Sequence, residues 1–165
     1  MNNFTSNTYE MKREIMNFCK KISRGVNKPI TKFIKDIEYG IASSGSCLIS
    51  NISRSLNENI KLKNTIERLC DNLNNFKDTN KVYKNYIETI CDVYGDDPVA
   101  LFDDSDISKI YGIKFEDLDD VIDASDLDKK VTKGYHVCES VILTEKEKQP
   151  ISVYSKIYSC KSKEF

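Results

Sequence analysis

The chain lacks any apolar run that approaches the roughly 18 residues needed to cross a lipid bilayer. Residues 1–7 (MNNFTSN) also lack the basic and apolar regions of a secretory signal peptide. Both absences predict a cytoplasmic protein without a membrane partner. The 165 residues are 39% hydrophobic and 31% charged, with a mean hydropathy of −0.49. This length allows one domain or two small ones, and the composition is ordinary for a soluble protein.

The sequence also lacks a Cys-x-x-Cys pair, although it has six cysteines. Zinc sites are usually built from such close-set pairs, so the spacing predicts no zinc site. Cys19, Cys70 and Cys91 fall on apolar helical stripes and are predicted to be reduced thiols in the core. The single histidine, His136, lies in a strand pattern without a cysteine at nucleophile spacing, and a structural or solvent-facing role is predicted for it.

Charge is distributed unevenly along the chain. Residues 1–95 carry 15 Lys and Arg against 10 Asp and Glu, a net charge of +5, whereas residues 96–165 carry 10 against 16, a net charge of −6. Such asymmetry indicates a part that faces nucleic acid beside a different part. An ordinary solvated surface is the alternative interpretation.

Hydrophobic periodicity divides the chain at the same place. Five helical stripes lie between residues 9 and 94, with Pro29 at the start of the second helix and Ser46 as the expected N-cap of the third. The period then falls to two. We therefore predict a helical domain over residues 1–95, which is the candidate DNA-binding domain, and a β domain over residues 96–165.

The β domain is expected to begin with a strand over residues 99–103, opened by Pro98 and buried on both faces. Asp103, Asp104 and Asp106 come at its end, where they either start a turn or stand at the rim of a sheet. Residues 107–132 are predicted to form an acidic connection. A hairpin of two strands, residues 134–144 and 149–159, follows.

Three segments of this domain resemble the start of the catalytic domain of insertion-sequence transposases of the cut-and-paste, Asp-Asp-Glu type. They are residues 102–109 (FDDSDISK), 133–139 (KGYHVCE) and 149–154 (QPISVY). Residues 45–73 are similar to the helical segment that precedes that domain, so the resemblance covers roughly residues 40–165. It implies an α+β chain: a helical bundle, then the first three antiparallel strands of a ribonuclease-H-like fold.

The resemblance also implies a catalytic acid. The first acid of the triad maps onto Asp104, with Asp103 as the competing assignment, and the two are the implied ligands of Mg²⁺ or Mn²⁺. In this family, two divalent ions promote phosphoryl transfer as DNA is cut and joined. The remaining acids come from a fourth strand and a late helix, which these residues do not supply. The expected fold is therefore truncated, and the chain is expected to be inactive alone.

Two further expectations follow from this assignment. Without the fourth strand, residues 99–102 would present a bare apolar edge, which favours self-association or a homodimer. The expected partner is DNA at transposon ends, in the nucleoid, contacted by basic residues of the helical part (Arg54, Lys61, Lys63 and Arg68). The alternative is a non-enzymatic helical module that binds DNA or protein and carries a small β extension.

Overall fold

A computed structural model of the chain describes residues 3–94, 98–112, 114–122, 128, 130–143 and 150–162. The chain divides into two compact units, Met1–Val93 and Tyr94–Phe165, called here the helical unit and the β unit. Five helices followed by a small antiparallel sheet, within the described residues, confirm the predicted α+β class. No helix in those residues is both long and apolar enough to cross a bilayer.

The helices begin and end where local chemistry favours it. They are α1 (Asn3–Ile22), α2 (Lys28–Ser44), α3 (Ile49–Leu56), α4 (Leu62–Asn74) and α5 (Thr79–Tyr94). Pro29 lies in the first turn of α2, and the Asn27 side chain accepts a hydrogen bond from the Ile30 N–H at 3.0 Å. Gly45 ends α2 in the left-handed conformation, with φ of 62°.

The start of α3 differs from the prediction. Leu48, not Ser46, occupies the N-cap position. The Ser46 hydroxyl instead accepts hydrogen bonds from the Leu48 N–H at 3.2 Å and from the Asn51 side-chain amide at 3.1 Å. Ser46 therefore orders the turn that leads into the helix without capping it.

Two apolar clusters stabilise the helical unit. Cys19, Ile22 and Ile34 join α1 to α2, and Phe33, Ile52 and Leu69 join α2 to α3 and α4. Gly40 permits this second contact, because a Cβ on it would collide with Ile52, which is buried. Of the three predicted core thiols, Cys19 is buried, but Cys70 and Cys91, each of which follows a buried residue of its helix, are exposed. Burial raises the pKa of the Cys19 thiol to about 11.

The sheet of the β unit is built on its third strand. The strands are β1 (Val99–Ser108), β2 (Asp119–Ile122), β3 (Val131–Leu143) and β4 (Ile151–Tyr158). β3 pairs with β1 along one side, and with β2 and then β4 along the other side, always antiparallel. Gly134 lies where β1, β2 and β3 converge. A Cβ there would collide with the Ile107 carbonyl oxygen and would lie 2.6 Å from the Val121 side chain.

The prediction for the first strand was wrong in its length and its burial. β1 continues through the acids to Ser108, because β3 is long enough to pair with all of it. It lies at the edge of the sheet, and Val99, Leu101 and Phe102 are 61%, 48% and 72% exposed. β2 was not predicted at all and lies inside the expected acidic connection.

Strand pleating gives the sheet two different faces. The polar face carries the side chains of Asp104, Asp106, Asp119, His136 and Tyr158. The opposite face, called the apolar face, carries Val99, Leu101, Val137, Val141, Leu143 and Ile157. Much of this apolar face is exposed, since Ile157 is 60% exposed in addition to the two β1 residues named above.

We predict that the chain self-associates through the free edge of β1. Unpaired backbone groups beside exposed apolar side chains recruit further strands. Leu101→Lys places a charge on this edge and is expected to shift the chain towards monomer in sedimentation velocity. The free energy of unfolding should change by no more than about 0.5 kcal/mol, because Leu101 is already half exposed.

Tyr111→Lys is the matched control, since Tyr111 is 94% exposed and lies outside the strands. It should leave self-association unchanged. A wild-type chain that sediments as a single monomeric species at micromolar concentration would contradict the prediction.

Candidate functional site

Asp104 lies in the middle of β1, on the polar face. It stands opposite Cys138 of β3, and both of its carboxylate oxygens accept from the Tyr158 hydroxyl, at 3.0 and 2.8 Å. This hydrogen bond raises the pKa of Tyr158 to about 12, because ionisation would place a phenolate beside a carboxylate. Asp104, which was expected at the end of a strand, is thus held in the middle of β1 by a side chain of β4.

Asp103 points to the opposite face of the sheet. Its partner in the register is Glu139, another carboxylate, and both side chains are exposed. Adjacent residues of a strand cannot present their side chains to one ion on one face. Asp103 and Asp104 therefore do not form a common metal site.

Among the residues that the structure describes, those around Asp104 also do not form a Mg²⁺ site by themselves. Mg²⁺ takes hard oxygen ligands and is commonly held by one or two carboxylates together with water and phosphate. Asp106 is the next carboxylate on the polar face of β1, but it is engaged elsewhere. Its Oδ1 lies 2.7 Å from His136 Nδ1, and its Oδ2 accepts from the Ile122 N–H at 3.1 Å.

On the polar face, His136 and Asp119 lie close to each other, and each contacts further neighbouring groups. His136 Nε2 lies 3.7 Å from Asp119 Oδ2. That oxygen accepts from the Cys160 N–H, and Oδ1 accepts from the Asp120 N–H, each at 2.9 Å. These two N–H groups, with a contribution from Lys161, hold the pKa of Asp119 below its ordinary value. The Asp119 side chain is only 13% exposed.

Cys160 completes a cluster of three chemically different donors. One ligand atom from each of Asp119, His136 and Cys160 lies within 4.8 Å of the other two. The three residues come from β2, from β3 and from the turn after β4. Sequence reasoning missed this cluster because no spacing motif joins them. The signal that would have found it is the strand register, which places His136 opposite Asp106 and Tyr158.

Of the four predicted DNA-contacting residues, Arg54 lies near the end of α3, Lys61 and Lys63 lie at the start of α4, and Arg68 lies in the middle of α4. Arg54, Lys61 and Lys63 are exposed. Arg54 contacts the Ser50 carbonyl and the Asn51 side chain of its own helix, at 3.3 and 3.2 Å. Lys63 Nζ lies 3.6 Å from Glu67, a weak surface pair. These three basic side chains therefore lie at the surface of the helical unit.

Arg68 has a different environment. Its guanidinium donates to Asp36 at 2.7 Å and to Glu58 at 2.8 Å, and the side chain is 28% exposed. Lys32 contacts the same two carboxylates, at 2.7 and 3.0 Å. The group of Lys32, Asp36, Glu58 and Arg68 is called here the ion-pair cluster. A phosphate would have to displace two carboxylates to reach Arg68, so the prediction of a DNA contact does not extend to Arg68 in this arrangement.

The pKa of Glu58 is strongly shifted by its contacts in this cluster. Its partial burial acts to raise its pKa, but hydrogen bonds from Lys32, Arg68 and Thr65 outweigh that effect and lower the pKa to about 2. The ion-pair cluster therefore ties the turn before α4 to α2 and α4.

Comparison of the chain with protein-family models, with curated proteins and with solved structures finds no match.

Glu58→Gln is expected to lower the free energy of unfolding at neutral pH by about 1–2 kcal/mol, because it removes charged hydrogen bonds from a partly exposed site. A carboxylate whose folded-state pKa is depressed stabilises the fold above its unfolded pKa. The difference between wild type and variant should therefore shrink as pH falls from 4.5 towards 2. Urea unfolding followed by circular dichroism at a series of pH values measures this difference.

The control is Glu67→Gln, since Glu67 is 58% exposed and paired only at 3.6 Å. It should change stability little at any pH. A Glu58→Gln difference that stays constant down to the lowest pH would show that the charge of Glu58 is not what stabilises the fold.

Proposed function

We propose that the chain is the N-terminal part of an insertion-sequence transposase of the Asp-Asp-Glu type. Its helical unit contacts DNA, and its β unit begins a ribonuclease-H-like catalytic domain. The observation that carries this proposal is the spatial order β4-β3-β1, all antiparallel, with Asp104 on β1. A ribonuclease-H-like sheet has the strand order 3-2-1-4-5. In the proposed assignment, β4, β3 and β1 of this chain correspond to strands 3, 2 and 1 of that order.

The free edge of β1 supports the same assignment. In the proposed fold, the fourth strand pairs with the first, on the side away from the second. Within the described residues of the β unit, that side of β1 has no paired strand. The exposed apolar face agrees with a sheet that later helices cover, because layered α/β folds bury both faces of their sheets.

The proposed chemistry is two-metal phosphoryl transfer, with Mg²⁺ or Mn²⁺ as the cofactor. Asp104 is the one acid of the triad assigned in these residues, and its neighbours do not complete a Mg²⁺ site. We therefore assign no strand cleavage to the 165-residue chain by itself. DNA binding in the nucleoid is the activity proposed for it.

A second candidate function is a non-enzymatic module that binds DNA or protein. The hydrogen bond between Asp104 and Tyr158 favours it, because this contact gives Asp104 a structural role without any metal ion. Metal binding at residue 104 separates the two candidates.

The DNA contact is tested by salt dependence. Duplex binding by the full chain should weaken steeply with salt. In the triple variant Arg54→Gln, Lys61→Gln, Lys63→Gln, the slope of log affinity against log salt should fall by about 3, since each phosphate contact contributes roughly 0.9 to it. Fluorescence anisotropy on a labelled duplex measures both quantities.

A charge-matched triple variant, with Lys20, Lys77 and Lys84 each changed to Gln, is the control. All three lysines are exposed and lie on α1, before α5 and on α5. This control should keep most of the slope. Equal losses in the two triple variants would indicate a general charge effect and would remove the assigned surface.

The role of Asp104 is tested with Mn²⁺ as a paramagnetic probe. We expect weak binding that broadens the backbone amide signals beside residue 104 in nuclear magnetic resonance spectra. Asp104→Ala should abolish this broadening, whereas Asp103→Ala should preserve it, because Asp103 lies on the other face. Broadening that is unaffected by Asp104→Ala would show that Mn²⁺ binds other donors of the polar face, and it would remove the metal-ligand role of Asp104.

A further inference from the structure

We propose that Asp119, His136 and Cys160 form a binding site for a zinc-like transition-metal ion, with Asp106 as the residue that orients the histidine. This site is separate from the proposed Mg²⁺ chemistry at Asp104. It uses different residues and a different class of metal.

The orientation of His136 is the first argument for the site. Asp106 Oδ1 lies 2.7 Å from Nδ1, and a carboxylate can only accept, so Nδ1 carries the proton. In the neutral imidazole, the lone pair is then on Nε2, which is the nitrogen that faces Asp119 at 3.7 Å. Histidines that bind metals usually donate their other N–H to a carboxylate in this way.

Packing and backbone contacts also fix the donors. The Tyr158 ring lies against the imidazole, with centroids 5.3 Å apart and planes at 31°. Asp106 is itself held by the Ile122 N–H of β2. Asp119 Oδ2 accepts from the Cys160 backbone, which anchors the turn that carries the thiol. Two of the three donors are thus held before a metal binds.

The donor set selects the metal. A thiolate, an imidazole and a carboxylate are typical zinc ligands, whereas Mg²⁺ and Ca²⁺ take oxygen ligands. Zinc binds such donors at about 2.0–2.3 Å, which places them roughly 3.5 Å apart. The present donors lie within 4.8 Å of one another. Cys160 is exposed, so a rotation of its side chain is the movement that the proposal requires to close the remaining distance.

The charges around the cluster favour a cation. Asp106 and Asp119 contribute two carboxylates, and Cys160 becomes a thiolate when it binds metal and releases its proton. Lys133 and Lys161 are the neighbouring cations. Lys133 Nζ is paired with Asp120 Oδ1 at 2.5 Å, and Lys161 Nζ lies 3.8 Å from Asp119 Oδ1, the oxygen that does not face His136. Asp119 Oδ2 therefore remains directed at the site.

Three protein ligands leave one coordination position for water or another ligand, as in zinc sites that carry out chemistry. The donors come from three separate segments of the β unit. The metal would therefore link β2, β3 and the turn after β4, and it would stabilise this unit when bound.

The test uses the full, reduced, metal-free chain. Co²⁺ serves as a spectroscopic substitute for Zn²⁺. We expect one ion per chain, visible bands of a tetrahedral complex and a thiolate-to-cobalt charge-transfer band. Cys160→Ser should abolish the charge-transfer band, and Asp106→Asn should weaken Zn²⁺ binding by about 10–100-fold. Cys138→Ser is the matched control, since Cys138 lies on the same face but outside the cluster, and it should bind normally.

Alkylation of the wild-type chain gives a readout that needs no variant. Zn²⁺ should protect Cys160 from a thiol reagent, and it should leave the exposed Cys47, Cys70 and Cys91 reactive, as mapped by mass spectrometry. Zn²⁺ that protects no cysteine, or that protects Cys138 instead of Cys160, would overturn the proposal. A charge-transfer band that persists in Cys160→Ser would also overturn it.

Discussion

The register of β3 against its neighbours is the constraint on which the rest of the β unit depends. β3 pairs with all three other strands, so its alternation decides which side chains share a face. A shift by one residue would move His136 to the apolar face and separate it from Asp106 and Asp119. Gly134 helps to hold this register, because only a glycine permits β1 and β2 to approach β3 at that point.

The helical unit depends on charge pairing in a comparable way. In the ion-pair cluster, Asp36 and Glu58 pair with Lys32 and Arg68. These four charges therefore stabilise the fold, although the sequence does not distinguish them from ordinary surface charges. Among the residues that the structure describes, the exposed Arg54, Lys61 and Lys63 have no ion pair as close as those of the cluster. Identification of a basic surface therefore requires knowledge of which carboxylates lie next to it.

The sequence predicted the helices well and the sheet less well. Apolar stripes and Pro29 located α2 correctly, because helical periodicity is a local property. The burial of residues 99–102 was predicted from their composition alone. The position of a strand in a sheet, however, depends on its pairing with residues that are distant in the sequence. Two of the four residues of β2 are aspartates, so its sequence is typical of a loop. Its place in the sheet depends on a tertiary contact, in which Val121 packs over Gly134. The Asp119, His136 and Cys160 cluster was missed for the same reason, since only tertiary pairing brings it together.

The position of β1 has a consequence for synthesis on the ribosome. β1 leaves the ribosome well before β3, its only paired strand among the described residues, and the connection between them includes residues 109–130. β3 and β4 are separated by few residues and form a hairpin readily, whereas pairing of β1 closes a longer loop and is slower. The nascent chain therefore displays an unpaired apolar strand for a time, and chaperones that bind such segments would compete with folding at this stage.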